Sequence, residues 1–294
     1  GGCNNCASGT CSNIGGGCGN CTTTTYTVIG GGQSNEAKAN HGTVAGGTAN
    51  CASAACSTVG GGDTNVASSV GTTIGGGRQN CASNNYSTVA GGDDNAASNL
   101  YTTVGGGYCN IASGHSSNIP GGRCNTASGC HSSVVGGFKN TAAGDCSVVG
   151  GRCNCIGSAG DASGIVAGGC NTAPGLSSFV GGGCGNAASG NCGSVVVGGM
   201  TNIASGLSSF VGGGCGNDAT QAGSTAVGGY SNCSAGKGTF IGGGFLNSAM
   251  GEFATVTGGV NNSSCGKFGA IGGGCGHDSQ DCFGTIGGGI CNMV

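Results

Sequence analysis

Cysteine is the reactive side chain this sequence uses most: 23 thiols stand beside four histidines and ten carboxylates. Several recur about one repeat apart, Cys3 with Cys18, Cys6 with Cys21, Cys109 with Cys124, and Cys170 with Cys184. If the chain coils so that such residues lie on neighbouring strands about 4.8 Å apart, their Cα atoms fall within the roughly 4.4–6.8 Å that a disulfide spans. These four pairs are therefore candidate staples between turns. Cys130 with Cys146 and Cys275 with Cys291 stand one register apart and are weaker pairs. Cys51, Cys56, Cys81, Cys215 and Cys233 have no same-register neighbour and are expected to reach other chains. So many thiols, in odd number, point to an oxidising, extracellular setting with at least one sulfur left over.

Other chemistry finds less support. Cysteines with His115, His131 or His277 could bind a metal, but no ligand set is assigned among them, and neither metal nor cofactor is expected. Asp93 with Asp94 and Asp278 with Asp281 are the close carboxylate pairs. Both fall at bends, where solvated acids are common, so no catalytic residue is assigned and the chain is not expected to be an enzyme. The glycine triplets could cradle phosphate, yet no Lys followed by Ser or Thr comes after one.

The elements that position these residues are repeats. From Val104 to Val134 the chain reads VGGGYCNIASGHSSNIPGGRCNTASGCHSSV, two copies of a fifteen-residue unit. A fixed period of this kind is the signature of a solenoid. Its branched residue forms a column of nineteen: Ile14, Ile29, Val44, Val59, Ile74, Val89, Val104, Ile119, Val134, Val148, Val166, Val180, Val196, Val211, Ala226, Ile241, Val256, Ile271 and Ile286. Only between Val134 and Val196 does this spacing depart from fifteen, and the residues from Gly157 to Gly164 read there as an extruded loop.

Six residues after the branched position comes Asn, in an unbroken central run at Asn65, Asn80, Asn95, Asn110, Asn125 and Asn140, with His277 the exception further on. Two residues later comes Ala, as at Ala52, Ala67, Ala82 and Ala97. Alternate strand residues share a face, so Asn, Ala and the branched residue should all point inward. Stacked Asn amides can then bond to one another and to backbone groups at the bends, forming an internal ladder. Glycine at the corners would supply positive φ. The expected fold is all-β: one narrow parallel β-solenoid over residues 1–294, of about nineteen turns and about 90 Å, irregular near 149–166.

Composition agrees with this reading. With 74 Gly, no Trp, 6% charged and 4% aromatic residues, a large mixed core cannot be filled. Collagen is excluded, since Gly lacks the every-third-residue period and Pro occurs twice. A net charge of −3 without a basic run argues against nucleic acid as a partner. No apolar stretch is long enough for a membrane-spanning helix. The opening in mid-repeat, without a signal segment, reads as a mature product or a segment of a longer fibre.

The outward position before the branched residue changes character along the chain. It is Thr at Thr43, Thr58, Thr73, Thr88 and Thr103, then turns apolar at Ile165, Phe179, Val195, Phe210 and Phe240. An apolar row on so narrow a coil is a contiguous patch of the kind that marks an interface between chains. Strand edges open at the ends of a coil would add end-to-end stacking into filaments.

The pattern Asn-x-Ala-Ser-Gly-x-x-Ser-x-Val-x-Gly, which covers essentially the whole chain, resembles the head repeats of trimeric autotransporter adhesins. That resemblance implies a left-handed β-roll, association in threes, and an adhesive role at a cell or virion surface toward host or surface ligands. Similar repeats occur in virus and phage fibres, which implies receptor binding instead. The glycine triplets and the cysteines depart from the adhesin pattern, and no heptad stalk accompanies them. The half-turn is also similar to grass ice-binding proteins. This implies ice-facing rows at Thr43 to Thr103 and at Ser53, Ser68, Ser83, Ser98 and Ser113, although the Thr row gives way to Phe. The expectation is thus a non-enzymatic structural or adhesive extracellular fibre that associates with itself.

Overall fold

The computed structural model describes residues 1–294 and is all-β, with 37 short parallel strands and no helix. It is a parallel β-solenoid whose register shows the fifteen-residue period: Thr73 pairs with Thr58 and Thr88, and Ala82 with Ala67 and Ala97. The residues fall into two compact units, Gly1–Ala143 and Gly144–Val294.

Each regular turn contributes to three ladders. One is the two-residue strand that ends on Ala, such as Ile111–Ala112, and a second is the strand that ends on the branched residue, such as Thr103–Val104. The third was not expected from the sequence. It is a single bridging residue after the glycines, running Asp63, Arg78, Asp93, Tyr108, Arg123 and Phe138 in the first unit. The chain straightens there for one residue only, too short a stretch to show as an alternating pattern.

The core is two apolar side chains wide. Val44, Val59, Ile74, Val89 and Val104 face Ala52, Ala67, Ala82, Ala97 and Ala112, and all are fully buried. Each buried Val or Ile contributes roughly 1.5–3 kcal/mol. Between the two strands an inward Ser or Thr closes the bend by bonding back three residues, as Ser57 Oγ does to the Ala54 carbonyl at 2.6 Å and Thr72 Oγ1 to that of Ser69 at 2.7 Å.

In the second unit the branched column runs through Val149 and Ile165, not through Val148 and Val166, which are exposed. Both sites are apolar doublets, so hydrophobicity alone does not say which member turns inward. Ile165, expected on an outward face, is 1% exposed and belongs to the core. The span from Val149 to Ile165 is one residue longer than the standard fifteen, because one glycine is missing before Gly151 and two residues are added at the opposite bend. That bend is a tight turn with Gly160 N–H bonded to the Gly157 carbonyl at 2.9 Å, and Ser163 is back in the buried column. It is not an extruded loop.

Corners also differ from expectation. The last glycine of each triplet has φ near that of Gly107, +91°, or Gly122, +103°. The two remaining bends are left-handed as well, but they accept many residue types: Tyr101 has φ 56°, Cys109 55° and Phe268 59°. Such residues lose about 1–2 kcal/mol relative to ordinary backbone. Their amides are satisfied across turns, Tyr101 N–H by the Asn85 carbonyl at 3.2 Å and Cys109 N–H by that of Asp93 at 3.0 Å.

Neighbouring glycines of one triplet therefore differ in what they tolerate. A Cβ on Gly122 would lie 2.5 Å from the Gly137 carbonyl oxygen and 2.5 Å from Asn125 Nδ2, at positive φ, whereas one on Gly121 meets nothing within 4 Å. Gly122→Ala is expected to cost about 3 kcal/mol in denaturant unfolding. Gly121→Ala is expected to stay within about 0.5 kcal/mol of the parent. Equal effects would remove the steric account.

Candidate functional site

The most regular polar arrangement is interior. Asn110 Oδ1 accepts the backbone N–H of Asn125 at 3.0 Å, while Asn110 Nδ2 donates to the Gly106 carbonyl at 3.0 Å and to the Gly122 carbonyl at 2.9 Å. The same contacts link Asn65, Asn80, Asn95, Asn125 and Asn140, all buried. These side chains are structural and present nothing to a ligand. Of the Asn-x-Ser/Thr sequences at Asn20, Asn85, Asn232, Asn261 and Asn262, those at Asn20, Asn232 and Asn262 belong to this buried column, Asn85 Oδ1 accepts the Ser69 hydroxyl at 2.6 Å, and Asn261 is exposed at a left-handed corner.

His277 takes one place in the column. Its backbone N–H donates to Asn262 Oδ1 at 3.0 Å, and its Nδ1 accepts Asn292 N–H at 3.1 Å, doing the work of an Asn oxygen. The neutral ring then carries its proton on Nε2, which is buried without a partner. Imidazole supplies the acceptor of the ladder but not both donors.

The thiols line outward columns. Cys3 and Cys18 are bridge partners with Sγ atoms 2.7 Å apart, and the hydrogen bond from Cys3 pushes the Cys18 thiol above its ordinary range. Cys6 pairs with Cys21. Cys109 and Cys124 occupy one left-handed corner in successive turns. Burial and the hydrogen bond with Cys124 push the Cys109 thiol up. Cys170, expected beside Cys184, is not: Cys184 pairs with Gly169. Since Gly169 also pairs with Arg152, the residue one turn before Cys170 is Cys153, at the same corner. The two added residues hid this pair by stretching its spacing. Cys51 lies between Glu36 and Val66, Cys81 between Val66 and Ala96, Cys215 between Met200 and Tyr230, and Cys233 between Asp218 and Ser248.

The acids and imidazoles do not assemble. Both Asp93 oxygens bind Arg78, at 3.1 and 2.6 Å, and the guanidinium holds that carboxyl below its usual range. Asp278 accepts from Gln280 at 2.7 Å. His115 and His131 meet edge to face at a corner, 5.5 Å between ring centres, while His277 is interior. No three groups among His, Cys, Asp and Glu converge as metal ligands would.

The outward face of the second unit is the strongest candidate for binding. Phe179, Val195, Phe210, Thr225 and Phe240 stand in register on successive turns. Two residues on, the parallel column reads Gly181, Val197, Gly212, Val227 and Gly242. Each Phe stands beside a Gly, its Cε1 lying 3.5, 3.3 and 3.4 Å from where a Cβ on Gly181, Gly212 and Gly242 would be. The rings thus cover bare backbone, and two-Val or Thr–Val turns fill the space between. Phe179 is 38% exposed, Phe240 39% and Val197 49%, and neither column contains a charge over these turns.

In the first unit the same column is Thr43, Thr58, Thr73, Thr88 and Thr103, in register. The Ser column follows the strands that end on Ala, which form a different sheet. The Thr and Ser rows therefore do not form ranks on one face. A scan against protein-family models matches none, and a search of curated proteins returns no match.

Two measurements check these assignments. Asn110→Ala leaves the Asn125 N–H and the Gly106 carbonyl unpaired, while the Gly122 carbonyl keeps Tyr108 N–H, and is expected to cost roughly 2–4 kcal/mol. His277→Asn restores both donors and should stabilise by about 1 kcal/mol, so opposite signs in chemical denaturation are the expected result. Asp218, outward between Ile203 and Cys233, has its carboxyl pushed up by burial. Its ionisation therefore disfavours the fold once pH rises above the unfolded-state pKa, and the effect is absent where both states are protonated. Asp218→Asn should raise Tm near neutral pH, with the gain vanishing below about pH 3.

Proposed function

We propose that this protein is a non-enzymatic structural or adhesive fibre segment of an extracellular surface, whose copies associate side by side through the Phe-bearing face of the second unit. The observation that carries this reading is the uncharged double column of Phe179, Val195, Val197, Phe210, Val227 and Phe240, outward and partly exposed on a sheet with no covering layer. Contiguous apolar surface of this kind is costly in water and is removed by a partner. A second copy supplies the same columns, and the rings lying over Gly181, Gly212 and Gly242 offer it an apolar surface. Three copies per assembly is the state implied by the resemblance to adhesin heads. End-to-end stacking into filaments belongs to the same proposal. The ice-binding reading has less behind it, because its Thr and Ser rows lie in separate sheets.

Sedimentation equilibrium on the folded protein and on a Val197→Asp/Phe240→Asp variant tests the proposal. Both substituted side chains are already outward, so the variant should keep the parent's circular dichroism. The parent is expected to sediment as an oligomer at micromolar concentration and the variant as a monomer. A monomeric parent, or an oligomer indifferent to both substitutions, would sink the idea.

A further inference from the structure

We propose that Cys3, Cys6, Cys18 and Cys21 close as two disulfides, Cys3–Cys18 and Cys6–Cys21, which clasp one corner of the first unit from both sides. The sequence there repeats the spacing Cys-x-x-Cys, in Cys3-Asn4-Asn5-Cys6 and Cys18-Gly19-Asn20-Cys21. Four cysteines so spaced suit a zinc ion when they converge. Here they diverge. Asn4 and Gly19 turn the chain through left-handed backbone, φ 53° and 69°, while Asn5 and Asn20 point inward. Cys3 and Cys18 are consequently left on the bridging column, and Cys6 and Cys21 on the strand column beyond the corner.

Contacts run between turns, not within them. Cys3 and Cys18 Sγ are 2.7 Å apart, and Cys6 and Cys21 are register partners on adjacent parallel strands. The backbone holds both pairs in register through Gly19 N–H on the Cys3 carbonyl at 2.9 Å and Cys6 N–H on the Asn20 carbonyl at 2.8 Å. Between them Asn20 donates from its backbone N–H and from Nδ2 to Asn5 Oδ1, at 3.0 and 3.1 Å. The two bridges with the two Cys-x-x-Cys segments form a ring closed around this rung of the Asn ladder. Cys3 and Cys6 are exposed enough for a small oxidant to reach.

Closure proceeds by thiol–disulfide exchange with a low-molecular-weight disulfide. The Cys3 thiolate attacks one sulfur of that reagent, its S–S bond breaks, and one small thiol leaves. Cys18 thiolate then attacks the Cys3 sulfur of the mixed disulfide, and the second small thiol leaves. The reagent gains the two electrons the cysteines lose, and the two cysteine protons end on the released thiols. The same sequence joins Cys6 to Cys21.

Peptide mass spectrometry tests this on the full chain, equilibrated with oxidised glutathione and then alkylated, denatured and digested with trypsin. The first tryptic site is Lys38, and the peptide before it holds these four cysteines and Cys11. The expected peptide lacks the mass of four hydrogens at the two bridges and carries a single alkyl or glutathionyl group, on Cys11. In Cys3→Ser it should lack two hydrogens, with Cys6 still joined to Cys21. Alkylation of all five cysteines, or a bridge from Cys3 to Cys6, would overturn the proposal. So would zinc, added to the reduced protein, binding one per chain and shielding all four thiols from alkylation. None of these outcomes depends on whether copies associate.

Discussion

A buried Asn amide holds each turn to the next, and most other invariants of the repeat follow from it. The carbonyl oxygen of Asn110 takes an N–H from the following turn, and its amino group takes two glycine carbonyls, one before and one after it in sequence. Groups that would be orphaned inside a narrow coil are satisfied by one side chain. For the amide to reach both carbonyls, backbone must pass where a Cβ would otherwise stand, so a side chain at the last glycine of each triplet is costly. At Gly122 a Cβ would collide with Asn125 Nδ2 itself. The Asn and the Gly are two parts of one constraint.

The remaining corners are held by the ladder and not by their own preferences. Left-handed backbone at Tyr86, Tyr101, Phe253, Phe268 and Phe283 is unfavourable for each residue taken alone. Their rings stack along the axis, with centres 5.5 Å apart for Tyr86 and Tyr101, 5.4 Å for Phe253 and Phe268, and 5.1 Å for Phe268 and Phe283. Aromatic pairs of this kind gain roughly 0.5–1.5 kcal/mol, which offsets part of the strain. On the bridging column Arg123 lies between Tyr108 and Phe138, 5.5 and 5.7 Å from the ring centres. Stacking at one-turn spacing thus offsets strain at the aromatic corners and adds a cation–π contact on the bridging column.

Inward columns were legible in the sequence because burial admits few residue types. Asn, Ala and the branched residue repeat with little variation, and together they define the solenoid. Two adjacent residues can suit the same place. Val148 and Val149, or Ile165 and Val166, are indistinguishable by polarity, and only the pairing of neighbouring strands decides which is buried. The Cys153–Cys170 juxtaposition was obscured for a related reason, since the added residues at Ser158 and Ala159 alter its spacing while leaving its register intact. Left-handed corners carry no residue signature beyond glycine, because the ladder imposes that geometry on Cys, Tyr, His and Phe alike.

Outward positions are read with more difficulty because the fold asks little of them. Thr88 and Phe210 occupy equivalent places on equivalent strands, each followed by a buried Val at Val89 and Val211. Exchanging one outward type for another leaves the Asn ladder, the glycines and the apolar columns untouched, so a face can turn from hydroxyl to aromatic at little cost in stability. What such a change does require is compensation on its own surface. Phe179, Phe210 and Phe240 each stand beside a glycine whose bare backbone the ring covers, whereas Val195 stands beside Val197. That pairing of large with small is a constraint the core does not impose, and the apolar face of the second unit is the part of the molecule that it shapes.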